Sequence, residues 1–336
     1  MSSAPTPEEI ARDATWLAQA LDPSAGVVRL IAMDRESYRA ASFLDDRLLQ
    51  APVDAQLVSW TVIEEAITDD LRSDARWIFH IGHVGSTLLS RLLGEIEGVL
   101  AVREPRLLRD VALMPADIRH RYLAPVTRLM SRTFDEREIA SVKATSFVSE
   151  IAAALVPPRG RVLFMYATPR NYVASILAGE NSVREAHALS ASRAERLCQR
   201  GIELDPASGD AALAAGAWAC EMTALEAASE KFTDHDVGWM DFDRVLEDLA
   251  SALADAVEIF GFNATSERIR EIAEGPLTRR YSKAAEYEYS AGLRRELIGE
   301  AIAGNRRAID DALAMLARAA EKSPLLARAL ARSEEG

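Results

Sequence analysis

Between Trp77 and Leu93 the chain reads WIFHIGHVGSTLLSRLL, and this stretch constrains the fold more than any other. The apolar run Trp77, Ile78, Phe79 and Ile81 has the character of a buried strand. Gly82 and Gly85 bracket a tight turn, Ser86 and Thr87 follow, and an amphipathic helix begins at once with Leu88, Leu89, Leu92 and Leu93. A strand, a glycine turn, a hydroxyl pair and a helix in that order form the layout of a phosphate-binding loop. The first N–H groups of such a helix have no partners inside it, and the positive end of the helix dipole adds to their attraction for an anion. Glycine suits the turn because a side chain would hold the backbone away from the phosphate oxygens. The plainer alternative is a strand-to-helix turn that Ser86 or Thr87 caps. The ATP-binding version of the loop carries a lysine after its second glycine, whereas here Ser86 follows Gly85 directly.

The rest of the chain alternates strands with helices. Apolar runs predict strands at VLAVRE (99–104), IASVKAT (139–145), RVLFMYA (161–167) and VGWMD (237–241). Helices are expected over about 107–133, over 147–155, from 168 onward, through the alanine-rich 180–235, and over most of the remainder. This alternation predicts an α/β fold of three layers around a central parallel sheet, in which ligands bind at the carboxyl ends of the strands. Three parts are expected: an N-terminal helical extension with one short strand, VVRLIAM at 27–33 (residues 1–70); a P-loop domain with a helical lid over 180–235 (71–290); and C-terminal helices packed on the core (291–336). The helical spacing of EEIARDATWLAQAL places one helix near the N-terminus.

Composition removes several classes. The 336 residues carry a formal net charge of −13, which argues against nucleic acid and anionic membranes as partners. Any polyanionic ligand therefore needs a local cationic site. No apolar run is long enough to span a membrane, no secretory signal is visible, and two cysteines make no disulfide framework. A cytoplasmic protein is the expectation.

Strand ends then supply the candidate site: His80, His83, Glu104, Lys143, Arg170 and Asp241. In order, they resemble the sulfotransferase superfamily, whose P-loop proteins use 3′-phosphoadenosine 5′-phosphosulfate (PAPS). HVGSTLLSRLL matches the family loop at Gly85, Ser86, Thr87 and Leu88, with His83 at the position of the loop cation. VREP puts Glu104 where some branches carry their catalytic base, and SVKATS offers Lys143 at the end of the next strand. The family's 3′-phosphate motif pairs an arginine with a serine eight residues later; ATPRNYVAS has Ala167 and Ser175 at that spacing, and Arg170 stands three residues into it. RRYSKA looks like a basic loop near the nucleotide and adds Arg280 and Lys283.

The resemblance implies PAPS, or its product adenosine 3′,5′-bisphosphate (PAP), held by Gly82, Gly85, Ser86, Thr87, Leu88, Arg170, Ser175, Arg280 and Lys283, with no metal. It implies Glu104 as general base, with its pKa raised by partial burial, and His83 with Lys143 offsetting charge on the leaving phosphate. The acceptor is then a small molecule, a peptide or a carbohydrate with a hydroxyl or amine. Each residue also has a structural reading: His80 as a satisfied core histidine, His83 as a turn residue, Glu104 as a carboxylate paired with Arg103 or Arg106, Lys143 as a solvated strand end, and Arg170 with Ser175 as an ordinary helix start. Two other functions stay open, a nucleotide kinase or NTPase using ATP and Mg²⁺, and a non-catalytic nucleotide-binding protein.

Overall fold

A computed structural model of the chain describes residues 4–205, 209–279 and 291–335. The N-terminal segment forms β1 (Trp16–Asp22), β2 (Val27–Ala32) and β3 (Ala55–Ser59), an antiparallel sheet in that order. This corrects the expectation of a helical extension with one strand. Thr6 caps a short helix, Pro7–Arg12, with a reciprocal Glu9 contact, and Asp13 ends it. The following WLAQALD pairs with β2 instead of continuing the helix. Its register shifts between Ala18 and Ala20, and this bulge breaks the two-residue alternation that marks a strand. The apolar positions 16, 17, 20 and 21 therefore imitate helical spacing.

The central sheet contains β4 (Arg76–His80), β5 (Val99–Arg103), β6 (Ile139–Lys143), β7 (Arg161–Tyr166) and β8 (Asp236–Asp241). Its order is β5-β6-β4-β7-β8, and every neighbouring pair is parallel. The helices Ser86–Leu93 and Leu249–Phe260 contact each other and cover one face. The helices Ala116–Ser131 and Asp210–Ser229, with the 146–155 segment, cover the other. The result is the expected three-layer α/β fold. The chain leaves β4 toward one side of the sheet and later crosses to β7 on the other. This reversal opens a crevice at the carboxyl end of β4, where ligands bind in such sheets.

Local chemistry explains the smaller departures. The helix expected over 107–133 is two helices, Arg106–Ala112 and Ala116–Ser131, because Pro115 interrupts the ladder and starts the second. The stretch 147–155 is a 3₁₀ segment, Ser146–Ile151, running into the helix Ala152–Leu155. Within 180–235, the third helix is core: Trp218 is fully buried, and its indole N–H donates to the Ala167 carbonyl at 2.9 Å.

Two buried arginines join the N-terminal segment to the central domain. The Arg103 guanidinium donates to the carbonyls of Tyr38 and Ala41, and the Arg132 guanidinium donates to those of Ile10 and Trp16. Burial lowers both to about 10, and both remain charged at neutral pH. The C-terminal helices Ala291–Ala320 and Pro324–Glu335 pack against Asp210–Ser229.

Gly85 sits where these layers meet. Its φ is +58°, and a Cβ built there would lie 1.9 Å from the ring of Phe242, which is buried. Gly26 has a similar φ of +62° with open space around it. We expect Gly85→Ala to cost on the order of 3 kcal/mol, because it combines a left-handed backbone with overpacking. Gly26→Ala should cost about 1 kcal/mol, for the backbone alone. Urea unfolding of both variants checks this; equal losses would show that Phe242 does not constrain the loop.

Candidate functional site

The loop after β4 turns through left-handed backbone at Gly82, His83 and Gly85, with φ of +80°, +55° and +58°. Gly85 is the N-cap of the helix Ser86–Leu93, and no side chain caps that end. The plain capping role for Ser86 or Thr87 is therefore not what forms. Consecutive left-handed residues instead curve the backbone into a concavity of N–H groups, the geometry that receives an anion. The Gly82 N–H points the other way and donates to His80 Nδ1 at 2.9 Å.

Three neighbouring strands bring their ends to this loop. Glu104 follows β5, Lys143 ends β6 and His80 ends β4; Lys143 lies in register with both Arg103 and Ile78. The Lys143 ammonium donates to Glu104 Oε1, and both groups are buried. His80 Nδ1 accepts from Gly82, so its proton is assigned to Nε2, which lies 3.7 Å from Glu104 Oε1. Arg47 stands 3.6 Å from Glu104 Oε2 and 2.5 Å from Asp45. Glu104 itself has a φ of +52°, unusual for a residue with a side chain. Burial by itself would raise its carboxyl pKa, but the Lys143 charge and the His80 hydrogen bond outweigh burial and hold it well below the usual carboxylate range. The expected raised value is thus corrected: Glu104 is a firmly ionised partner of Lys143. The alternatives of a Glu104 pair with Arg103 or Arg106 and of a solvated Lys143 do not form.

These groups line one cleft of about 280 Å³, together with His83, Thr145, Ser146, Tyr172, Arg109 and Arg193. The His83 ring packs edge-on against Tyr172, with centroids 6.2 Å apart. Of the residues expected at the site, Gly82, His83, Gly85, Ser86, Thr87, Glu104 and Lys143 come together here. Leu88 is buried beneath them in the helix. Arg170 and Ser175 do not reach the cleft: Arg170 pairs with Asp310 at 2.8 Å, and the Ser175 hydroxyl donates to the Tyr172 carbonyl of its own helix. Arg280 and Lys283 lie outside the described residues.

Sequence reasoning missed several members of the site. His80, a strand-end candidate whose plainer reading is a satisfied core histidine, is buried and also bridges Gly82 and Glu104. Arg47 and Phe43 come from the N-terminal segment, and Arg193 comes from the helix Ser190–Gln199. No spacing links these positions to the loop; only the packing of distant segments does. Among the described residues, no group of three His, Cys, Asp or Glu side chains could hold a metal ion. No helix among them is long and apolar enough to cross a membrane.

The arrangement joins an anion-receiving loop to a buried ion pair that can exchange partners. Glu104→Gln should lower stability at pH 7 by on the order of 3 kcal/mol, because it leaves Lys143 buried without a counter-charge. The depressed pKa of Glu104 fixes the pH dependence. Its contribution is fully present above the ordinary value of 4.5 and is lost as pH falls below it, because the unfolded chain takes up the proton first. The gap between wild type and variant should therefore narrow from pH 7 to pH 3 in urea unfolding. A constant gap would mean that Glu104 is not held low.

No protein-family profile and no curated protein matches this sequence. Solved structures are similar to it. The sulfotransferase domain from the curacin biosynthetic pathway is 10% identical, over 68% of this chain and 89% of that one, with a TM-score of 0.40. Sulfotransferase STF9 from Mycobacterium avium is 13% identical, over 70% and 78%, with a TM-score of 0.39. Mouse sulfotransferase SULT7A1, solved in complex with PAP, is 10% identical, over 77% and 89%, with a TM-score of 0.38.

Proposed function

We propose that the chain is a sulfotransferase that moves a sulfuryl group from PAPS to a hydroxyl or amine acceptor. The observation that carries this reading is the meeting, in one cleft, of a lysine-free anion loop with the buried Glu104–Lys143 pair. The donor, when bound, supplies a sulfuryl group on a phosphate leaving group. The uncapped N–H groups of the loop and of the helix Ser86–Leu93 fit its 5′ end. His83 in the loop and Lys143 in the same cleft are, in this reading, the groups that offset charge developing on a phosphate oxygen.

Glu104 accepts the acceptor's proton in this reading. While Lys143 holds it, the carboxylate is a weak base. An anion in the cleft draws the ammonium away, and burial then becomes the dominant influence on the carboxyl and raises its basicity. Lys143 thus couples occupation of the loop to activation of the acceptor. The acceptor is a small molecule, a peptide or a carbohydrate; the acidic surface supports neither nucleic acid nor membrane as a partner. Free Cys198 and Cys220 support a cytoplasmic setting.

One observation favours a second reading, in which the loop binds an anion without recognising a 3′-phosphate. Arg170 and Ser175 are engaged elsewhere, and Ala167 lies buried under Trp218. Thermal-shift titration separates the readings. PAP without metal should stabilise the protein, by about 2.7 kcal/mol at a hundredfold excess over its dissociation constant. AMP should stabilise it less. Equal effects of PAP and AMP support the second reading. Stabilisation by ATP with Mg²⁺ but not by PAP would replace sulfuryl transfer with phosphoryl transfer.

A further inference from the structure

The loop lacks a lysine of its own, and the cleft contains a buried cation that the reaction described above does not use. Arg193 is only 7% exposed and lines the cleft with His83, Ser86, Thr87 and Lys143. Its Nε donates to Glu221 Oε1 at 3.3 Å. Its two terminal nitrogens make no hydrogen bond to the described residues, and the side chain lines this cleft as well as a neighbouring cavity beside Leu197 and Met315.

What lies behind Arg193 explains its position. Arg196 donates to Glu221 at 3.2 Å and to Glu150 at 2.8 Å, and Arg200 donates to the other Glu150 oxygen at 2.7 Å. Arg200 also donates to the Cys220 carbonyl at 2.8 Å. The Cys220 thiol is pushed up to about 12 by burial and stays neutral. Three arginines thus share two glutamates in this largely buried network, and a further carboxylate, Glu185, lines the cleft with Arg193. Buried charge is costly unless it is paired. On the opposite wall of the cleft, Lys143 and Glu104 neutralise each other. Arg193 is the one arginine of the network that lines the cleft, so an anion entering there meets it and not Arg196 or Arg200. Tyr172 ties this region to the loop: its hydroxyl donates to the Ile81 carbonyl at 3.2 Å, its ring meets His83, and it lies within electrostatic reach of Arg193, Glu221 and Glu185.

We propose that Arg193 supplies from a distant helix the cation that the loop lacks, binding the anionic group of the ligand that the loop receives. A planar guanidinium held through Nε presents its remaining N–H groups as a fork, which suits a phosphate or sulfate oxygen pair. This proposal rests on the anion-binding reading of the loop but not on the identity of the nucleotide.

Calorimetric titration tests it with two probes, inorganic pyrophosphate and PAP, on wild type, Arg193→Met and Arg193→Gln. The glutamine variant keeps a donor for Glu221 and removes only the charge, so it is informative even where the methionine variant does not fold. Both variants should bind each wild-type ligand about tenfold more weakly or worse. Arg12→Met, at an exposed helix end, should bind as wild type does. Wild-type affinity in Arg193→Gln overturns the proposal. Wild-type binding of pyrophosphate but not PAP removes the PAPS reading, while the pyrophosphate arm still decides Arg193. Binding of neither probe by wild type removes both.

Discussion

The buried contact between Lys143 and Glu104 is the constraint on which the rest of the site depends. It requires the ends of β5 and β6 to be adjacent, and it requires β4 beside them to bring His80 and the loop into range. The order β5-β6-β4 follows from the chain reversing direction across the sheet, so the ion pair and the crevice share one topological cause. The pair also explains why Glu104 tolerates a left-handed backbone. Its N–H donates to the Lys143 carbonyl at 2.7 Å while its side chain takes the Lys143 ammonium, and the two bonds together over-determine its conformation.

The same contact sets the chemical character of the cleft. A carboxylate that burial alone would make basic is instead held ionised, and its basicity depends on where one ammonium points. His80 is, with Arg47, a further partner of Glu104, and its orientation is fixed by the Gly82 N–H, so the conformation of the loop and the state of the carboxylate are physically linked. Such linkage needs no moving domain. It needs only an anion that competes with Glu104 for Lys143.

Much of this was legible in the sequence because it rests on contiguous chemistry. The central strands are continuous apolar runs, and the loop is a local motif, so β4 to β8 and residues 82–87 were read close to their actual limits. Of the N-terminal sheet only β2 was legible, as VVRLIAM: a bulge at Gln19 gave β1 helical spacing, and β3 is a short edge strand with an exposed Leu57. Glu104 and Lys143 were placed correctly at strand ends, but the sign of the Glu104 shift was not. That sign depends on a contact between residues 39 positions apart. Arg193 and Arg47 had no sequence signal, because an arginine in a helical or irregular stretch looks the same whether it faces solvent or a cleft.

The chain as a whole is strongly acidic, yet the proposed site takes an anionic ligand. Distance and burial reconcile the two. Exposed carboxylates act through water and salt, which screen them within about 8 Å. Arg193, Arg196, Arg200 and Lys143 are held among buried groups where screening is weak, so their local balance decides the potential of the cleft. Glu150 and Glu221 pair with the arginines and Glu104 pairs with Lys143, while Asp45, Glu185, Arg47 and Arg109 also line the cleft, so charges of both signs are concentrated there. An acidic surface repels polyanions in general; in the proposed reading, a small anion that fits between the loop and Arg193 meets this local balance instead, and selection by size follows from the contrast between the surface and the cleft.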